Sequence, residues 1–159
     1  MWINCCGALA GAGQFGRADQ GILSFWIHSW ARRRALKYIG FGGTGHQVRD
    51  CLHPCDLAQL VLAQLRDPRR AVSRVQNVGG GAARAMSLRQ LSTWCTQRFG
   101  AHDVAANTIK RAFDIPWMVM DSRLAAQQWQ WQPEILLEEI LGEIAAHASG
   151  NPEWLEISG

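Results

Sequence analysis

Residues 7 to 21 read GALAGAGQFGRADQG and contain Gly11-Ala-Gly13-Gln-Phe-Gly16, a G-x-G-x-x-G spacing. Glycines so placed permit a tight turn, let the backbone approach a pyrophosphate, and let a helix pack on the strand before it. A dinucleotide cradle also needs an acid about twenty positions on, at the end of the next strand, to hold the ribose hydroxyls. Here the next strand-like run, LKYIGF at 36 to 41, ends in Gly42 and Gly43, and the first acid beyond it is Asp50. The ribose clamp is missing. What remains is a loop able to offer backbone amides and a helix N-terminus to some phosphate.

Two other constellations invite chemistry. Cys51-Leu-His53-Pro-Cys55 has metal-ligand residue types, but a structural zinc site takes four ligands at familiar spacing and no second pair follows, so no metal is expected. The one tyrosine, Tyr38, has Gly42 four residues later, so no Tyr-x-x-x-Lys pair exists, and no His-Glu zinc helix or G-x-S-x-G elbow appears. No catalytic residue is assigned. The run ARRRALK at 31 to 37 reads as cations at the negative end of a helix, and a net charge of only +3 gives no footprint for nucleic acid.

Elements must position these residues. Trp2 to Cys6 reads as a short strand, the glycine loop follows, and a helix runs from about Asp19 to Arg33. LKYIGF is a strand by its aromatic and β-branched content, and QVRDCLH resumes extended chain. Asp56 is expected to cap a helix whose Leu57, Leu60, Val61 and Leu65 share one face. RVQNV is a strand, and SLRQLSTWCTQRFG carries a capping box, Ser87 with Gln90, and a terminal Gly100. FDIPWMVM reads as extended and DSRLAAQQW as a short helix. Pro133 opens a final amphipathic helix with Leu136, Leu137, Ile140, Leu141 and Ile144 as its buried stripe. Strands and helices alternate, so the class is mixed α/β.

A chain of 159 residues, 48% hydrophobic and 18% charged, suits one globular unit over 1–159. Five cysteines, two of them adjacent, do not suggest a disulfide framework and point to a reducing, cytoplasmic setting. No apolar run approaches the roughly 18 residues of a membrane span, so no membrane partner is expected.

The stretch GHQVRDCLHPCDL, with LKYIGFGG before it and VQNVGGG after it, resembles the C-terminal part of the extended short-chain dehydrogenases, the NAD-dependent sugar-nucleotide epimerases and dehydratases. The resemblance continues through KRAFDIPWMVMDSRLA and WQP and covers nearly the whole chain in order. GAGQFGRADQG with GHQVRD is most similar to the CDP-tyvelose (CDP-paratose) 2-epimerases within that family. It implies a fold made of the last elements of a Rossmann-type sheet plus the substrate-binding lobe. The resemblance implies that the N-terminal dinucleotide-binding half and the Tyr-Lys pair would fall before Met1 and that the loop at 11 to 16 corresponds to the entry to the substrate lobe.

The resemblance also implies a ligand, a CDP- or UDP-hexose. Arg49 and Arg111 match family arginines on the diphosphate, where guanidinium forks bind phosphate oxygens bidentately. Gln14, Phe15, Asp19 and Gln20 match the loop and helix start beside the nucleotide, and Phe41 matches a position near the base. NAD belongs to the full-length family and is not expected to bind this chain tightly. Cys5 stands where the family usually has arginine, and Ala10-Gly11-Ala12 where it has Tyr-Gly-Pro. A lobe without its sheet exposes apolar area, which implies self-association or capture of a partner.

Overall fold

The computed structural model describes residues 1–17, 20–70, 73–109 and 115–158. Eight strands and six α-helices alternate through these residues: β1 (Ile3–Cys6), β2 (Ala8–Leu9), α1 (Ile22–Ala31), β3 (Leu36–Ile39), β4 (Val48–Leu52), α2 (Pro54–Arg66), β5 (Val75–Val78), β6 (Ala85–Ser87), α3 (Leu88–Phe99), β7 (Val104–Asn107), β8 (Trp117–Met118), α4 (Arg123–Trp129), α5 (Leu137–Gly150) and α6 (Trp154–Ser158). The class is mixed α/β, as the alternation predicts.

Pairing is mainly parallel. β1 runs parallel to β5, β3 to β7, and β4 to both β2 and β8, while β6 lies antiparallel to β4. β4 is therefore the hub of the largest sheet. Parallel neighbours cannot be joined by a tight turn, and helices lie in each connection: α1 and α2 between β1 and β5, α1 between β2 and β4, and α2 and α3 between β3 and β7.

Two apolar clusters form. The first gathers Leu23, Trp26, Ile27 and Trp30 of α1, Leu36 and Tyr38 of β3, Leu91 and Cys95 of α3, and Ile140, Leu141 and Ile144 of α5. Its aromatic pair is polar at one end: Trp26 Nε1 donates to Ser92 Oγ at 3.0 Å and Tyr38 Oη to the same oxygen at 2.6 Å. The second gathers Leu52, Leu60, Val78, Ala125, Trp129 and Trp131.

Several expectations are corrected. Asp56 does not cap α2: Pro54 at the first helical position moves the cap to His53, whose side chain accepts from the Cys55 amide. The Asp56 carboxyl, 2% exposed, instead accepts from the Glu134 and Ile135 amides. Of the stripe assigned to that helix only Leu60 is buried, while Val61 and Leu65 are 38% and 69% exposed. α5 starts at Leu137, which leaves Leu136 outside as the 57% exposed cap residue. Among the described residues of FDIPWMVM, only Trp117–Met118 forms a strand. β6 and β7, which carry little β-branched sequence, were not expected; β4 and β3 recruit them by pairing. The capping box at Ser87 and Gln90 is present.

The arginine run also differs from its expectation. It serves the C-termini of other helices rather than that of α1. Arg32 donates to Ala148 O in α5, Arg33 to Phe99 O and Ala101 O at the end of α3, and Arg34 pairs with Glu156. Cations there complement the partial negative charge of unpaired carbonyls.

Candidate functional site

β4 organises the residues singled out above. Arg49 stands near its start, His53 follows its end, and about 3.3 Å per residue separates them by roughly 13 Å. Around the start of β4, Arg49 Nη1 donates to Val48 O at 2.7 Å and to Ile115 O at 2.8 Å. The Val48 amide donates to Pro116 O, so this end of the strand is tied to the chain that leads into β8.

Phe41 lies in the turn after β3, half-buried, with a φ of 47° that is left-handed for a non-glycine residue. Gly40, Gly42 and Gly43 flank it, so four successive residues have positive φ. It closes on the end of β7, where the Gly40 amide donates to Asn107 O at 2.9 Å. The two ends of the segment between Asn107 and Ile115 are thus fixed, one at the Phe41 turn and the other at Arg49. Arg111 lies within that segment and, like Asp19, falls outside the described residues.

Beyond the other end of β4 sits the glycine loop. The Ala12 amide faces Glu143 Oε1 of α5 at 3.4 Å, and Glu143 Oε2 lies 2.8 Å from His53 Nε2. Because His53 Nδ1 accepts from the Cys55 amide, the ring proton is on Nε2 and points to Glu143. Gln14 turns inward: its Nε2 donates to Leu9 O at 2.6 Å, and its backbone carbonyl accepts from Ser24 Oγ and Trp154 Nε1. Phe15 is 60% exposed and stacks on Trp154, with centroids 5.6 Å apart. Gln20 is exposed. Glu143, His53 and Trp154 carry no sequence signal for this role, since each reaches its partner across a long stretch of chain.

The loop does not fit a dinucleotide. A fingerprint loop opens straight into its helix, whereas α1 begins at Ile22, six residues beyond Gly16, with Gly21 as its cap. A carboxylate side chain already faces the Ala12 amide, where a pyrophosphate oxygen would need to approach. The loop's expected service to a phosphate meets the same obstacle at Ala12. The Cys51-x-His53-x-Cys55 triplet is likewise committed: Cys51 is fully buried with its thiol pushed up to about 12 by burial, and His53 is held by Glu143 and the Cys55 amide.

Asp50 lies between the two ends, 0% exposed. Its Oδ2 accepts from the Gly81 and Met120 amides at 3.0 and 3.3 Å. A Cβ on Gly7 would come within 2.6 Å of Asp50 Oδ1, which explains a glycine where the chain passes from β1 to β2.

No protein-family model and no curated protein sequence matches the chain; solved structures do. An epimerase from Methanothermobacter thermautotrophicus superposes with a TM-score of 0.82 at 15% identity, over 98% of this chain and 45% of its own. The fold is that of nucleotide-sugar epimerases and dehydratases. UDP-glucose 4-epimerase from Thermotoga maritima, solved with UDP-glucose, matches with a TM-score of 0.77 at 20% identity, over 93% of this chain and 45% of its own. dTDP-glucose 4,6-dehydratase from Bacillus anthracis, solved with NAD, gives 0.77 at 18% identity, over 98% and 46%. The chain spans about 45% of the length of these neighbours. No described helix is long and apolar enough to cross a membrane.

Proposed function

We propose that the chain is the nucleotide-sugar-binding portion of an NAD-dependent epimerase or dehydratase, and that alone it binds its ligand without turning it over. The observation that carries this reading is the match of nearly the whole chain to less than half of enzymes solved with UDP-glucose or NAD. Arg49 and Arg111 neutralise the diphosphate, Phe41 lies near the base, and Gln14, Phe15, Asp19 and Gln20 border the nucleotide. That reading is supported by the two described residues that flank Arg111 in the chain: Asn107 O accepts from the Gly40 amide beside Phe41, and Ile115 O accepts from Arg49. NAD finds no fitting cradle in the glycine loop, and no step of chemistry is assigned to it here. Within this class the ligand is a CDP-hexose of the tyvelose or paratose type, with UDP-hexoses as the nearest alternative.

Calorimetric titration with UDP-glucose, CDP-glucose and inorganic pyrophosphate tests this. Arg49→Met and Arg111→Met are each expected to weaken all three by about tenfold or more, because a charge-assisted hydrogen bond contributes roughly 1.5–3 kcal/mol. Wild-type protein that binds none of them overturns the assignment. Turnover of either sugar nucleotide with added NAD overturns the inactivity.

A second reading is supported by a different observation. Ile3 and Val75 on the β1–β5 pair are 44% and 51% exposed, and Val61, Leu62 and Leu65 of α2 are 38%, 50% and 69% exposed. The chain then acts as an interaction module, self-associating through one of these two faces. Light scattering at micromolar concentration separates the two: a monodisperse monomer removes the second reading.

A further inference from the structure

Trp154 is half-buried and meets the glycine loop in two ways. Its indole N–H donates to Gln14 O at 2.9 Å. One ring face stacks on Phe15 at an interplanar angle of 25°. The His147 ring packs against it edge-on, with centroids 4.8 Å apart, and holds it from α5. The next residue, Leu155, is 7% exposed and lies against Gly16, where an added Cβ would come within 3.0 Å of Leu155 Cδ2. At the other end of the loop Glu143 faces the Ala12 amide. A loop that would otherwise be free on one side is thus closed by the last two helices of the described chain.

We infer that Trp154 is a positioning residue for the Gly11–Gly16 loop: its ring, braced by His147, fixes the conformation in which Phe15 faces the ligand. The inference rests on the reading that this loop borders the nucleotide sugar. The ring matters more than its N–H, because Gln14 O also accepts from Ser24 Oγ at 2.8 Å and keeps a partner when the indole is removed. Stacking is the part that no other residue replaces. Aromatic pairs of this geometry contribute roughly 0.5–1.5 kcal/mol beyond their buried area, or about 2- to 12-fold in an equilibrium.

The test compares Trp154→Phe and Trp154→Leu with wild type in three measurements: hydrogen exchange of amides 12–17, UDP-glucose affinity, and thermal melting. Trp154→Leu is expected to speed exchange in the loop alone and to weaken UDP-glucose about fivefold, with melting little changed. Trp154→Phe, which keeps a flat ring, is expected to restore exchange and affinity to within about twofold of wild type. Unchanged loop exchange in Trp154→Leu overturns the inference. So does a Trp154→Phe variant as impaired as Trp154→Leu, or exchange that rises across the whole chain, since each points to general packing. Wild-type protein that fails to bind UDP-glucose defeats the ligand reading, while the exchange data still decide whether Trp154 holds the loop.

Discussion

The two apolar clusters are built from similar residues and end differently. In the first, α1 is flanked by α3 and α5, and Trp26, Ile27, Ile140 and Ile144 are all at most 1% exposed. Its two ring donors, Trp26 Nε1 and Tyr38 Oη, are both matched by Ser92 Oγ. In the second, Leu52, Leu60 and Val78 are fully buried, and Trp129 donates to Gln76, which in turn donates to Asn4. Yet the outer side of the same β1–β5 pair leaves Ile3 and Val75 open, and the outer side of α2 leaves Leu62 and Leu65 open. Parallel strands are normally covered on both faces. One cluster is complete within the chain, and the other is finished on only one side.

This contrast makes predictions of graded size. Trp26→Ala attacks the completed cluster and removes a buried ring along with its bond to Ser92; denaturant unfolding is expected to show a loss of about 3–5 kcal/mol. The same cluster contains His28, 1% exposed, with Nε2 3.3 Å from His147 Nδ1. Burial, then the neighbouring His147 and Arg32, lower its pKa from 6.5 to about 4. The folded state therefore holds this ring neutral while the unfolded chain protonates it at a higher pH. Stability should fall by about 3 kcal/mol as pH drops from roughly 6.5 to 4 and level off below, and His28→Gln should flatten that part of the profile.

In the second cluster's neighbourhood, Asp56→Ala strips two amides of their acceptor and should cost about 1–3 kcal/mol by the same unfolding assay. The smallest change is expected on the open side. Ile3→Lys and Leu65→Lys should alter stability by no more than about 0.5 kcal/mol. They should, however, reduce binding of a hydrophobic dye and any concentration-dependent light scattering. A loss comparable to that of Trp26→Ala at either position would show that its exposed face is core after all, and the contrast would disappear.

Much of this was readable from the residues. The helix of α3 could be placed from Ser87, Gln90 and Gly100 because its caps are local and each satisfies a specific backbone group. The α2 face could not be placed, because Leu60, Val61 and Leu65 fit an apolar stripe equally well whichever side is covered. Asp56 was legible as a residue that binds amides but not as to whose; its amides come from Glu134 and Ile135, far along the chain. The candidate site divides in the same way. Arg49 and Phe41 are candidates that the family resemblance proposes, whereas Trp154 and Glu143 reach the loop from 140 and 131 residues away. Nothing in a linear pattern records such a closure.

The arginines at 32 to 34 carry a last consequence. Arg32 and Arg33 spend their guanidinium groups on main-chain oxygens at two helix ends. Mobile ions screen a pair of full charges far more than a short bond to a carbonyl dipole. Among the described residues, Arg34 is the one of these three that forms an ion pair, with Glu156. Raising ionic strength should therefore leave this corner of the molecule nearly unmoved, despite having the densest positive charge in the sequence.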